Sequence, residues 1–329
     1  LLTVKNVQGN RITFKEQFNR NHLIDAKPVL VKISPIENIQ IYNLTIERTQ
    51  EVAGQGSAIQ LRYAKNCEIA CVRFFNADFA HITFNQSANN TVEGCYFQDA
   101  FNYGGGGNGY GVVLQFASGN NLIYNNTFKH LRHSILLQAG ANGNAIAYNY
   151  STDPYWAETW LPSDAAGDLV LHGNYVYSNL LEGNCVQNIV IDGSHGKNGK
   201  HNIFLHNRAE NFGLFMDPIS PSDSQVFMGN EITNRFGNAL YMLAGSGHFE
   251  YGNNVSGTVI PEGTDSIALN SLLPSYFYNN AKQLLVTSAG ASSPFNAAEM
   301  RFTSNLETAC EQVILTATKP APTNIILYP

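Results

Sequence analysis

Little of this 329-residue sequence is charged: 19 Lys and Arg stand against 25 Asp and Glu, 13% of the chain, for a formal net charge of −6. So few cations argue against nucleic acid as a partner, because a phosphate backbone is held by a clustered basic surface. No apolar run approaches the ~20 residues of a membrane-spanning helix, so no membrane span is expected. Methionine (4) and tryptophan (2) are scarce. The five cysteines are odd in number and irregularly spaced, which fits neither a disulfide framework nor a zinc cluster. A serine nucleophile elbow and a dinucleotide fingerprint are also missing. Disorder is excluded by the 44% hydrophobic content. The chain opens Leu1-Leu2 with no Met and no signal pattern, a start that reads as a processed protein or a fragment.

Asparagine is abundant instead: 39 Asn, with 28 Gly, 19 Phe and 16 Tyr. Asn and Gly are poor helix formers and common in turns, which points to many short strands. A motif recurs in which an apolar residue is followed by two variable positions and Asn or Gly. It starts at Ile41, Ile123, Ile146, Leu181, Phe204 and Phe227, and more weakly at Ile69 and Val92. The base spacing is 23 residues, with longer exceptions. Between copies lies a second strand, apolar-x-apolar-polar, as in Ile59–Arg62, Ile82–Asn85, Val112–Gln115, Ile135–Gln138, Leu169–His172, Ile189–Asp192, Leu214–Asp217 and Ile267–Asn270. Short strands repeated at this period describe an all-β parallel solenoid of about 23 residues per coil, each coil stacked on the last. The recurring Asn fits a sharp turn taken in the left-handed conformation, with side chains laddered along the axis. Asn43, Asn125, Asn149 and Asn254 also match the glycosylation acceptor, but the turn role is the expected one.

Segments such as Ile36–Ile46 and Asn120–Phe128 resemble coils of the pectin-lyase-like superfamily of right-handed parallel β-helices, and the resemblance runs over about residues 30–275. It implies an extracellular protein, secreted, surface-borne or periplasmic and bacterial, that acts on a polysaccharide. It specifies the fold far more strongly than the chemistry, because catalytic sets differ between its families.

Insertions on a rigid scaffold mark where function is added. Gln98–Tyr110 carries Tyr103 and the run Gly104–Gly107, read as a flap. Thr152–Gly167 carries Tyr155, Trp156 and Trp160. Tyr103, Tyr155, Trp156 and Trp160 are candidate sugar-stacking rings; the alternative is that the tryptophans pack their loop onto the solenoid. A third insertion, Gly193–His201, contains His195, Lys197, Lys200 and His201 and follows Asp192 directly.

Strand alternation places Arg62, Asn85, Gln115, Gln138, His172, Asp192 and Asp217 in one outward row, with in-register neighbours about 4.8 Å apart. Asp168 shares the outward parity of His172, and Arg132 and His133 begin the Gln138 strand. His172, Asp192 and Asp217 are the expected chemical centre, supported by Arg132, Gln138 and His195. Three chemistries fit these residue types. Proton abstraction α to a uronate carboxylate needs a base such as His172 and a neutraliser such as Arg132. Glycoside hydrolysis would use Asp192 and Asp217 as paired carboxylates. Asp168, Asp192 and Asp217 would otherwise hold Ca²⁺ through oxygen ligands. The resemblance tips the balance to a lyase, while the acidic row alone leans to a hydrolase or Ca²⁺. A non-catalytic carbohydrate-binding or adhesin solenoid is the competing class. His130, His133, His206 and His248 read as structural. A Cys71–Cys95 bridge is sterically open, although buried thiols are the plainer role. Residues 1–273 are expected to form the β-helix and 274–329 an irregular cap on its last coil, with a short helix near 296–302.

Overall fold

A computed structural model describes residues 1–16, 29–52, 54, 56–103, 107–155, 167–234 and 240–262. The expected cap, the Ile267 strand, Trp156 and Trp160 lie outside them. Among the described residues there is no helix; the chain winds as a parallel β-helix. One face is a nine-stranded sheet of three-residue strands, from Gln40–Tyr42 to Phe249–Tyr251, each paired in parallel with the next coil. The other is a sixteen-stranded sheet that bends between two sets of strands. Its long set includes Ser57–Arg62, Ala80–Asn85, Tyr110–Gln115, His133–Leu137 and Leu169–His172. In Cys185–Asp192 and Arg208–Met216 the short and long strands merge into one, and the register shifts between Val186 and Asn188. Two antiparallel pairs flank the winding, Val4–Gln8 with Arg11–Phe14 and Asn253–Val255 with Thr258–Ile260.

Aliphatic and aromatic side chains from both sheets fill the lumen in one continuous core. Phe74, Phe97 and Phe128 stack at 4.8 Å from ring to ring, and Phe204 on Phe227 at 5.0 Å. At the bend the core is tight: a Cβ on Gly111 would stand 2.7 Å from the Phe128 ring, well inside van der Waals contact.

Asparagine plays two adjacent roles, not the single one expected from the sequence. The left-handed position is the residue before the ladder: Gly94, Asn125, Tyr148, Gly183, His206, Gly229 and Gly252 all have positive φ. The next residue is buried, and its side chain bonds along the axis. Asn126, Asn149, Asn184, Asn207, Asn230 and Asn253 are linked Nδ2 to Oδ1 at 2.9–3.1 Å. A second ladder runs Asn90, Asn121, Asn144, Asn179, Asn202 and Gln225. Each amide also takes a backbone carbonyl or N–H, which satisfies the groups exposed at a sharp corner. Asn125 and Asn149 are buried at 2% and 1% exposure, so neither acceptor sequence can carry a glycan in the folded chain. Cys67, Cys95 and Cys185 are buried free thiols, and the Cys71–Cys95 bridge is not formed.

Candidate functional site

The outer side of the long-strand sheet holds two rows. One is polar. Arg62, Asn85 and Gln115 are in register, His172 pairs with Asp192, and the Asp217 amide donates to the Ile191 carbonyl at 2.9 Å. Gln138 donates to the Gln115 carboxamide, and Gln115 to Asn85. The other row was not foreseen. Val113, Leu136, Val170, Val190 and Phe215 form an apolar stripe that is almost wholly buried although it lies outside the lumen core, with Phe79 and Tyr110 packed on it.

His172 and Asp192 meet on adjacent coils. Nδ1 of His172 lies 2.6 Å from Oδ2 of Asp192, with both side chains about four-fifths buried. The other oxygen of Asp192 accepts from the backbone N–H and hydroxyl of Ser194, at 3.0 and 2.7 Å. Burial would raise the Asp192 pKa. The His172 hydrogen bond, the His172 charge and the Ser194 donors outweigh it and hold the carboxyl below its ordinary range. An ionised carboxylate at Nδ1 fixes the imidazole proton there and leaves Nε2 as a lone-pair acceptor. Asn198 holds the Gly193–His201 insertion in place, donating to the Asp192 carbonyl and accepting from the Gly173 N–H. From that insertion the exposed ring of His195 meets His172 edge to face at 4.7 Å.

Tyr110, Arg132 and His133 complete the cluster. The Arg132 guanidinium lies 6.0 Å from the Tyr110 ring centre, His133 is 4.8 Å from Tyr110, and His133 is 6.1 Å from His172. His133 was expected to be structural, yet it lies within the cluster. Burial, seconded by Arg132, lowers its pKa to about 3, so it is neutral at working pH, with Nδ1 at 2.8 Å from the Gly167 carbonyl.

Other expected members are placed elsewhere. Asp217 follows Asp192 by one coil, but its Oδ1 accepts the Ile219 N–H at 2.8 Å and caps a local turn. Tyr103 and Tyr155 stack on each other at 4.6 Å, with His130 at the Tyr103 edge. Asp168 does not join the row. It lies at the bend, where alternation breaks, and its carboxyl points inward with 1% exposure. There it accepts from the Gln187 and Asn188 N–H groups and the Ser151 hydroxyl at 2.8–3.0 Å. Ser151 stands in register with Phe128, where the phenyl stack gives way to this polar knot. The three aspartates therefore do not converge, and among the described residues no group of three or more acidic, His or Cys side chains could hold a metal ion.

Burial pushes Asp168 up to about 6, against the pull of its donors. A carboxyl raised in the folded state contributes stability that is complete below the unfolded pKa and is lost as pH rises through the folded value. The shift corresponds to about 3 kcal/mol. His81 and His133, both lowered to about 3 by burial, act with the opposite sign. The test is thus a difference between variants. Asp168→Asn should gain about 3 kcal/mol on the wild type between roughly pH 4 and pH 7 in denaturant melts. A pH-independent difference would contradict the assignment.

Residues 30–156 match the family model described as the right handed beta helix region. No curated protein matches the chain. Among solved structures it is similar to the crystal structure of DFA-IIIase from Arthrobacter chlorophenolicus A6, at 9% identity over 72% of this chain and 71% of that one, with a TM-score of 0.30. An overlap this loose says nothing of shared chemistry. No helix among the described residues is long and apolar enough to cross a membrane.

Proposed function

We propose that this right-handed parallel β-helix is a polysaccharide lyase that cleaves a uronate-containing glycan by β-elimination at the His172–Asp192 pair. The observation that carries the reading is the 2.6 Å contact between His172 Nδ1 and Asp192 Oδ2, which leaves Nε2 as the basic atom. Abstraction of the C5 proton by Nε2 builds negative charge on the adjoining carboxylate, and Arg132 supplies the nearby cation that offsets it. Asp192 orients the base and stabilises the imidazolium, as a carboxylate does behind a catalytic histidine. Hydrolysis by paired carboxylates is the weaker reading. Both Asp192 oxygens are committed, to His172 and to Ser194, and Asp217 is engaged by its own turn. Polymeric glycan substrates are met outside the cytoplasm, which is where we propose that the protein acts.

The test is incubation of the full chain with pectate, alginate, heparosan, hyaluronan and neutral glycans, with and without a chelator. Ultraviolet absorbance from a new C4=C5 double bond is the expected result. Reducing ends without that absorbance would establish hydrolysis, and retention on glycan without cleavage would establish a binding solenoid. Either outcome defeats the lyase reading.

A further inference from the structure

Elimination needs a proton for the departing oxygen as well as a base for the one at C5, and the cluster holds few groups able to give one. Arg132 is already assigned to the uronate carboxylate, as the cation that offsets its growing charge. His133 is neutral, and the proton it carries is directed at the Gly167 carbonyl. The His172 Nδ1 proton is bound to Asp192. His195 sits on the exposed insertion. Tyr110 remains. Its ring is 5% exposed on the outer stripe, and its hydroxyl makes no hydrogen bond with any described residue. The rings of Tyr110, His133, His172 and His195 form a continuous diagonal across the coils, at 4.8, 6.1 and 4.7 Å.

We infer that Tyr110 is the second catalytic residue, the acid that protonates the leaving glycosidic oxygen while His172 removes the C5 proton. This inference rests on the lyase reading above. His172 Nε2 takes the C5 proton, the C5–H electron pair becomes the C4=C5 bond, and the C4–O bond breaks with its electrons going to oxygen. That oxygen receives the Tyr110 hydroxyl proton. The phenolate left behind faces Arg132, whose charge favours it, and regains a proton from the His172 imidazolium through solvent. The acid keeps its proton at neutral pH because burial raises the phenol, although Arg132 pulls the other way.

The experiment compares wild type, Tyr110→Phe and His172→Ala on whichever of the four uronate-containing glycans the wild type cleaves. It then repeats the comparison on a 4-O-dinitrophenyl uronoside of the same sugar, whose phenolate departs without a proton. Tyr110→Phe should lose roughly 10²-fold in kcat on the polymer with KM little changed. On the activated substrate it should recover to near the wild-type rate, whereas His172→Ala should not. Full turnover of the polymer by Tyr110→Phe overturns the role of Tyr110 and leaves the lyase reading standing. Equal loss on both substrates, with an unaltered thermal melt, also overturns it, because an acid is not needed for the second. Absence of unsaturated product from the wild type overturns the elimination reading, and this inference with it.

Discussion

Asp192→Asn should lower turnover by about 10⁴-fold without unfolding the protein, the scale seen when a histidine base is forced into the wrong tautomer. The carboxylate now accepts from Nδ1 at 2.6 Å. A carboxamide can turn its nitrogen to that position and donate, which moves the ring proton to Nε2 and removes the basic lone pair. The Ser194 contacts to the other oxygen favour this orientation, because they keep the carboxamide oxygen on their side. His172→Ala should cost as much, and the double variant no more, since the two act as one unit. Asp217→Asn should retain most activity, its carboxylate being tied to the Ile219 N–H. If Asp192→Asn kept its rate while Asp217→Asn lost it, the base would be misassigned and the carboxylate chemistry would return.

Register was readable from the sequence, because each step of the winding repeats the same polar punctuation. The motif strands pair as their spacing indicates, Ile123 with Ile146 and Leu181 with Phe204. His172 and Asp192 could be placed side by side from parity alone, with both on the outward side of strands whose inward residues are aliphatic. Parity fails at the bend. Counting back by twos from His172 puts Asp168 outside, yet the corner turns it into the lumen. The same corner brings His133 and Tyr110 to the outer cluster, where counting back from Ile135 and Val112 would send them elsewhere. A one-residue irregularity leaves no mark in an apolar-polar alternation, so these three positions were hidden. The nearest available signal was polar or aromatic residues at the starts of successive long strands, in register at Tyr110 and His133. The outer apolar stripe was legible as residues, Val113, Leu136, Val170 and Val190, but alternation alone gives no reason for an outward face to be buried.

The division of labour between neighbouring asparagines predicts opposite outcomes for adjacent substitutions. Asn125 has φ 55°, at a position where other coils have Gly94, Gly183 and Gly229. Asn125→Gly should therefore be the milder of the two changes, since glycine adopts this conformation without steric cost. Asn126 is fully buried and accepts the Cys95 N–H at 2.9 Å. Its amide nitrogen donates to the Val92 carbonyl and to Asn149 Oδ1, each at 3.0 Å. Asn126→Ala strands the first two backbone groups and interrupts the ladder, and each buried unpaired group costs about 1–3 kcal/mol. A loss of about 4 kcal/mol is a large share of the 5–15 kcal/mol that holds a typical domain folded. Thermal melts should thus separate two variants one residue apart by about 10 °C. Equal melting points would mean that the ladder amides are paired as well by water as by one another. The corner would then be held by its backbone conformation alone.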